Sequence, residues 1–466
     1  MDRKELIELL ENALGERGLT WFGTRGTDAA PLRALEQFCA VFSLISPAGV
    51  AGWTSEQDIC LEELSGTRVD LNRYNIDNDT SEAARDMHRQ MLTALAPGGV
   101  IAAYRPSHFL SAVEFPAASR SRLLGLFPGF QSAFDHKPWV ETELQKRGVR
   151  TIPWDYYSDR DWQLVGERAE REPIVIRSSY SDGGWGLRLA ASRADVEPEP
   201  PGTLDRLLAV SPFLHPNVPL NVSGVVGPNG AVRLYAPSVQ LIGHPECISK
   251  PFGYCGNDFA SFANMLPPAS IDEFEKLALS AGEWLFSRGY RGAFGVDAML
   301  HRGVVYLSEI NARFQGCSAA GAELQASLDL PDVYLDHLCG FLATDSNGHE
   351  NALCGELTRL KPTPLREQAE AQRSANGGTA QVVVHTPTGE IVRAQDSVVP
   401  DVLGGAIRGV PSEHVRSIEP DAMLFKLVLD RPVLNVAFDG TLVLDPGVAC
   451  VIASTSDALF SEIGTS

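Results

Sequence analysis

The stretch that most constrains this chain is GVDAMLHRGVVYLSEINARFQG, residues 295–316. Two apolar, β-branched and aromatic runs flank the tight-turn triplet His301-Arg302-Gly303, the pattern of an antiparallel hairpin. Glu309, Asn311 and Arg313 follow one another at intervals of two, so they share one face of their strand. The turn sets Asp297 on the neighbouring strand, facing the same side. Two carboxylates, a carboxamide and a guanidinium therefore converge on one surface. Alternating polar residues also suit a solvated face. Here the flanking AFGV and VVYL runs read as a buried sheet, where clustered carboxylates need a compensating cation. Hard oxygen donors at this density suit one or two Mg²⁺ ions that bridge nucleotide phosphates. The trailing Arg313 adds a rigid cationic fork for a phosphoryl or carboxylate group.

Upstream, IVIRSSYSDGGWGLRLA (174–190) places a β-branched strand before the turn Gly183-Gly184-Trp185-Gly186, with Ser181 at its start. Such a turn either folds its N–H groups around a polyphosphate or simply joins two strands. Arg177 stands where a nucleotide enzyme more often shows Lys, and Asp182 is unexpected beside phosphates. The Trp185 ring either covers a nucleotide or packs on the sheet.

Bulk properties narrow the setting. A chain of 466 residues with 44% hydrophobic and 21% charged residues reads as a multi-domain globular protein. Its net charge of -20 argues against nucleic acid as a partner. The eight cysteines form no CxxC pair and no zinc-like cluster, which points to a reduced, cytoplasmic setting. Cys317 reads as a small buried hydrophobe. The N-terminal stretch has no apolar core of a signal peptide. The apolar run 38–53 is too short and too interrupted to cross a membrane.

Along the chain, helical and strand patterns alternate over 1–130. They include helices at 2–16, from Ser81, and from Pro31 (PLRALEQFCAVFSLI). This predicts a small open α/β layer. A central region, 131–345, divides at about residue 210 after the connector DVEPEPPGT (195–203). Residues 346–466 begin with the polar loops TDSNGHENA and EQAEAQRSANGG and continue as β-hairpins, which predicts a separate strand-rich domain.

The order Lys137 before a helix, Arg177 and the glycine turn, a hinge at SPFLHP, Asp297, then Glu309-Ile310-Asn311-Ala312-Arg313 resembles the ATP-grasp superfamily over about 131–345. The resemblance implies a mixed α/β and α+β architecture. A pre-ATP-grasp α/β domain (1–130) would be followed by an ATP-grasp fold with a flap subdomain (131–210) and a metal-binding subdomain (211–345). A C-terminal strand-rich domain (346–466) would close the chain. The layout, and phrases such as YCGNDF, are similar to amide-forming ligases of natural-product pathways, including the pheganomycin-type peptide ligases.

By that resemblance Asp297, Glu309 and Asn311 hold Mg²⁺ (or Mn²⁺), and Arg313 faces the transferred phosphoryl group or the substrate carboxylate. Lys137 and Arg177 contact the ATP phosphates under a flap of Ser181, Gly183, Gly184 and Gly186. Pro212, Phe213 and Leu214 meet the adenine edge. Arg25, Lys250, Tyr254 and Asn257 are candidate substrate contacts, as are Arg105 and His108; ordinary structural roles compete for each. The implied reaction joins a small-molecule carboxylate to an amine, such as an amino acid or peptide, through an acyl phosphate, releasing ADP and phosphate. A carboxylate–thiol ligase, a non-catalytic nucleotide-binding regulator and a kinase on the same scaffold are the alternatives. No nucleic-acid or membrane partner is implied, and a homodimer is compatible.

Overall fold

The computed structural model describes residues 2–46, 58–95, 98–115, 121–196, 205–343, 353, 362–374, 379–386, 391–393 and 405–462. Three sheets frame it. In the first, strands Ile59–Cys60, Phe38–Ile45, Leu19–Arg25, Val100–Ala103 and Arg122–Leu124 lie side by side in that order, all parallel. Strand order reverses between Leu19–Arg25 and Val100–Ala103, and an open α/β sheet takes ligands at the carboxyl ends flanking such a reversal. Thr24, Arg25 and Tyr104 stand there.

Helix Arg3–Leu14 starts from a capping box in which Asp2 accepts from the Glu5 N–H and Glu5 returns to the Asp2 N–H. Helix Glu82–Ala94 starts at Ser81, whose Oγ accepts from the Ala84 N–H at 3.1 Å. The helix expected from Pro31 does not form. Gly26–Ala34 is a 3-10 helix, and FCAVFSLI is the strand Phe38–Ile45, buried from Ala40 onward. A short, wholly apolar run carries no period, and a parallel strand covered on both faces reads the same as a core helix.

The second sheet is antiparallel, in the order Asp155–Ser158, Leu207–Pro212, Ile174–Ser178, Leu187–Ala190. It carries the glycine turn between its last two strands. Most of the connector expected at 195–203 lies outside the described residues.

The third sheet is the largest, with nine antiparallel strands. From one edge come Val304–Asn311, Gly292–His301, Val218–Val226, Ser238–Ile242 and Tyr254–Asp258. The next strands are Ala380–His385, Met423–Leu429 and Gly405–Arg408, all from the C-terminal segment. That segment is strand-rich as expected, yet its strands extend the central sheet instead of standing apart. Ala380–His385 covers what would otherwise be an open edge at Tyr254–Asp258. A single apolar core runs across both, from Leu220 and Phe274 to Phe425 and Ile452. The loop TDSNGHENA lies outside the described residues. The stretch expected as the second polar loop contributes most of helix Leu365–Ser374, with Leu365 and Ala369 buried; Ala, Glu and Gln are good helix formers whatever their polarity.

The N-terminal layer is stapled to this sheet by Arg68. Fully buried, it pairs with Glu62 at 2.6 and 2.8 Å and donates to the carbonyls of Gly409, Met423 and Leu424. Among the described residues no helix is long and apolar enough to cross a membrane.

Candidate active site

The hairpin Gly292–His301/Val304–Asn311 sets Asp297 directly opposite Glu309, with a register shift just after Asp297. Asp297 Oδ1 accepts from Asn221 Nδ2 (2.6 Å), Gln240 Nε2 (3.1 Å) and Gln315 Nε2 (3.3 Å), and Oδ2 from Asn311 Nδ2 (2.9 Å). Burial, followed by the field of Glu309, pushes the Asp297 carboxyl up to about 7 despite these donors. Glu309 meets Lys137 Nζ at 3.1 Å, and the same ammonium donates to the Ser181 carbonyl at 2.6 Å. Lys137 thus ties the floor of the site to its lid.

Arg313 is almost buried. Nη1 donates to the Tyr104 hydroxyl at 3.1 Å, and Nη2 reaches both oxygens of Asp182 at 3.0 and 3.1 Å. Burial alone would raise the Asp182 carboxyl, but Arg313, Lys137 and Arg105 together hold it below the ordinary carboxylate range. The charge that looked misplaced beside phosphates is a latch on Arg313. The Tyr104 ring lies between two guanidiniums, Arg25 at 5.4 Å and Arg313 at 5.6 Å. Arg25 Nε donates to Asp28 (2.9 Å), which also takes Lys426 Nζ (2.7 Å), while Arg25 Nη2 is buried without a hydrogen-bond partner.

The glycine turn covers the acidic centre. Gly183 and Gly184 have φ of +55° and +86°, and a Cβ on Gly184 would lie 2.1 Å from the Phe252 carbonyl oxygen. Only glycine fits there. Behind them Trp185 sits between Arg73 (4.9 Å) and Lys250 Nζ (3.3 Å), with Lys250 also paired to Asp421 at 2.9 Å.

Two compartments meet under this lid. A polar one of about 200 Å³ is lined by Arg25, Tyr104, Ser181 to Gly184, Tyr254, Asn257, Asp297, Glu309, Asn311 and Arg313. An apolar one of about 310 Å³ is lined by Trp154, Val175, Pro212, Phe213, Leu214, Phe252 and Met299. Glu309 and Gln240 line both. The Phe213 N–H is already spent on the Pro173 carbonyl at 2.9 Å.

The sequence candidates separate accordingly. Asp297, Glu309, Asn311, Arg313, Lys137, Ser181, Gly183 and Gly184 come together, with Arg25 and Tyr254 beside them. Gly186 lies outside the lining, at the root of the turn. Arg177 lies in the apolar compartment, its Nη2 on both Glu141 oxygens (2.7 and 2.9 Å) and its guanidinium 4.1 Å over the Trp154 ring. Lys250 clamps the outside of the lid and does not line either compartment. Asn257 is fully buried, accepting from Tyr254 (2.6 Å) and donating to Ser238 (2.8 Å), so it orients Tyr254. Arg105 pairs with Asp135 at 2.6 Å, and the His108 ring packs on Phe127 at 5.8 Å. Cys317 is a buried thiol that burial pushes up to about 12. Sequence reasoning missed Asn221, Gln240, Gln315 and Tyr104. A lone carboxamide inside the apolar strands PLNVSGVV and SVQLI was the available signal.

Among the described residues no three His, Cys, Asp or Glu side chains cluster. Two carboxylates and a carboxamide remain, which suits a hard cation that takes its other ligands from water and phosphate oxygens.

An antiparallel sheet beneath a glycine turn, fronted by a parallel α/β crevice, has the architecture of the ATP-grasp fold. The solved structures agree. Biotin carboxylase of Campylobacter jejuni, in complex with a β,γ-ATP species, matches with TM-score 0.60 at 15% identity over 97% of this chain and 93% of that one. The biotin carboxylase domain dimer of Hydrogenobacter thermophilus 2-oxoglutarate carboxylase, with MgADP, ADP and bicarbonate, matches with TM-score 0.59 at 14% identity over 95% and 90%. Carboxyaminoimidazole ribonucleotide synthase of Aspergillus clavatus, with ATP, matches with TM-score 0.50 at 13% identity over 89% and 93%. No protein-family model matches the chain, and no curated protein matches it.

Proposed function

We propose that this protein is an ATP-dependent ligase that joins a carboxylic acid to an amine through an acyl phosphate, releasing ADP and phosphate. The observation that carries this reading is continuity: Glu309 lines both the apolar compartment and the polar one. A nucleotide laid across them has its base among Trp154, Phe213, Leu214 and Met299, and its phosphates beneath Ser181 to Gly184. Asp297, Glu309 and Asn311 would hold Mg²⁺, which supplies neutralisation of charge on the transferred phosphoryl group. The surroundings of Asp297 fit that role, because four carboxamides fix it without cancelling its charge.

The chain's own residues do the rest. Lys137 joins the phosphate site to the lid, so lid closure and phosphate contact are one event. Arg313, nearly buried and fixed by Tyr104, offsets charge that develops at the transferred group. The unpartnered Nη2 of Arg25 is free to orient a substrate carboxylate or phosphate oxygen. The lid excludes water from an acyl phosphate that water would otherwise consume. The neighbours' bound ATP, MgADP and bicarbonate support the same assignment of nucleotide and acid.

The test incubates the protein with ATP, Mg²⁺ and pooled carboxylic acids and amino acids, following ADP, orthophosphate and new amide masses. Glu309→Gln and Arg313→Ala should each lower turnover by about 10²-fold or more, with the thermal midpoint little changed. Release of AMP and pyrophosphate would overturn the acyl-phosphate route. ADP without orthophosphate would instead mark a kinase.

A further inference from the structure

The gallery does not end at Arg313. Tyr104, Asp182 and Arg313 form a partition, and behind it a chamber of about 400 Å³ occupies the crevice at the carboxyl ends of Leu19–Arg25 and Val100–Ala103. Phe22, Leu44, Leu71 and Ile76 give it apolar walls. The polar groups around it are largely spent on one another. Asp77 accepts from the Ser107 hydroxyl and from the Phe109 N–H at 2.8 Å. The Tyr74 hydroxyl donates to Asp79, Gln131 donates to the Ala312 carbonyl, and Arg105 is paired with Asp135. Exposed Arg73 lies over the Trp185 ring at 4.9 Å and Asn72 lies against Gly183; two further polar features remain for a ligand. One is Arg313 at the inner end. The other is the Thr24 hydroxyl, buried without a hydrogen-bond partner on the chamber wall.

Asp182 reveals what the Arg313 end accepts. A half-exposed carboxylate from the lid straddles the guanidinium's Nη2 with both of its oxygens, a charge-assisted contact that a ligand carboxylate can make in its place. Replacing it with a ligand carboxylate keeps the charge balance of the partition and frees Asp182 toward solvent.

We propose that this chamber seats the acid to be activated, and that the acid is a carboxylic acid with an apolar body whose carboxylate displaces Asp182 from Arg313. The inference rests on the ligase reading and sharpens it. Bicarbonate, the anion in the Hydrogenobacter neighbour, would leave most of the 400 Å³ unfilled, whereas binding sites of this size bury most of a ligand's surface. A body against Phe22, Leu44 and Ile76, with one hydrogen-bonding group near Thr24, fills it.

Calorimetry on the full chain without nucleotide tests this, with 3-phenyllactate as probe, lactate as the head without the body and 2-phenylethanol as the body without the head. Phenyllactate should bind at least tenfold more tightly than either control. Ser132→Trp, which fills the mouth of the chamber, should weaken it at least tenfold, and so should Asn75→Trp on the same chamber's lining should the first variant fold poorly. Asp182→Asn, which removes the competing charge, should tighten it several-fold. Equal binding of lactate or phenylethanol overturns the proposal, as does phenyllactate binding that neither tryptophan variant affects. MgATP is titrated in parallel. If MgATP binds and phenyllactate does not, this proposal falls and the nucleotide reading stands. If MgATP itself fails to bind, the ligase reading falls, and the activation of an acid falls with it.

Discussion

Arg177 stands where a lysine is more usual, and its neighbours explain the choice. Its Nη2 meets both oxygens of Glu141, and its planar group lies over Trp154. An ammonium, being a compact point charge, cannot stack and reach in this way. Both partners are 3% exposed. Burial outweighs the field of Arg177 and leaves the Glu141 carboxyl above its ordinary range, with the Tyr156 hydroxyl as a further donor at 2.7 Å. Removing one member of such a pair strands the other. Arg177→Ala should therefore cost about 3–5 kcal/mol of stability, and Glu141→Ala in addition should recover part of that loss, as read from urea unfolding. A variant of normal stability that only loses ATP affinity would show instead that Arg177 acts on the nucleotide directly. The sequence made Arg177 visible as a departure but left its partner hidden. Glu141 lies on a helix 36 positions away, where it is one carboxylate among many.

At the scale of elements, the lid is the part most legible in sequence and least legible in its contacts. Gly183 to Gly186 announce a turn with positive φ. That the turn presses on Asn72 and on the Phe252 carbonyl depends on two remote segments. Gly184→Ala would meet that carbonyl and a φ of +86° at once, so the lid should close poorly. A loss of tenfold or more in kcat/KM for ATP, with an unchanged thermal midpoint, is the expected outcome; full activity would show that closure against Phe252 is dispensable. The same contrast runs through the other elements. The Asp297–Arg313 hairpin could be read because strand alternation converts spacing into facing. Asn221, Gln240 and Gln315 could not, because single carboxamides on three segments converge only after the sheet pairs Val218–Val226 with Gly292–His301. The strand Phe38–Ile45 was misread for the opposite reason: it is so apolar that it offers no period to interpret.

At the scale of the whole molecule, three segments are joined through one imidazole. His337, on helix Val333–Leu342, accepts the Ala293 N–H of the central sheet at Nδ1 (3.0 Å). Its Nε2 donates to the Leu124 carbonyl of the N-terminal sheet (2.9 Å). Its ring packs on Phe314, next to Arg313, at 4.7 Å. Burial pulls this imidazole down to about 4, against only partial opposition from the Leu124 carbonyl. The unfolded chain takes up a proton near 6.5 and the folded chain only near 4, so between those values the unfolded state binds more protons. Stability should fall as pH drops through that window, by about 3 kcal/mol from this group. Asp332, at the start of the same helix, works the other way. Burial pushes it up to about 6 against an ordinary 3.8, so protonation there favours the folded state as pH falls from 6 toward 4. His337→Gln, which can still accept from Ala293 and donate to Leu124, should remove the acid-side loss and leave the Asp332 trend exposed. Asp332→Asn, which keeps an acceptor for the Tyr334 and Leu335 N–H groups, should make the loss steeper. Urea midpoints measured from pH 4 to 7 distinguish the two, and an identical slope in His337→Gln would mean that this imidazole does not carry the acid-side loss.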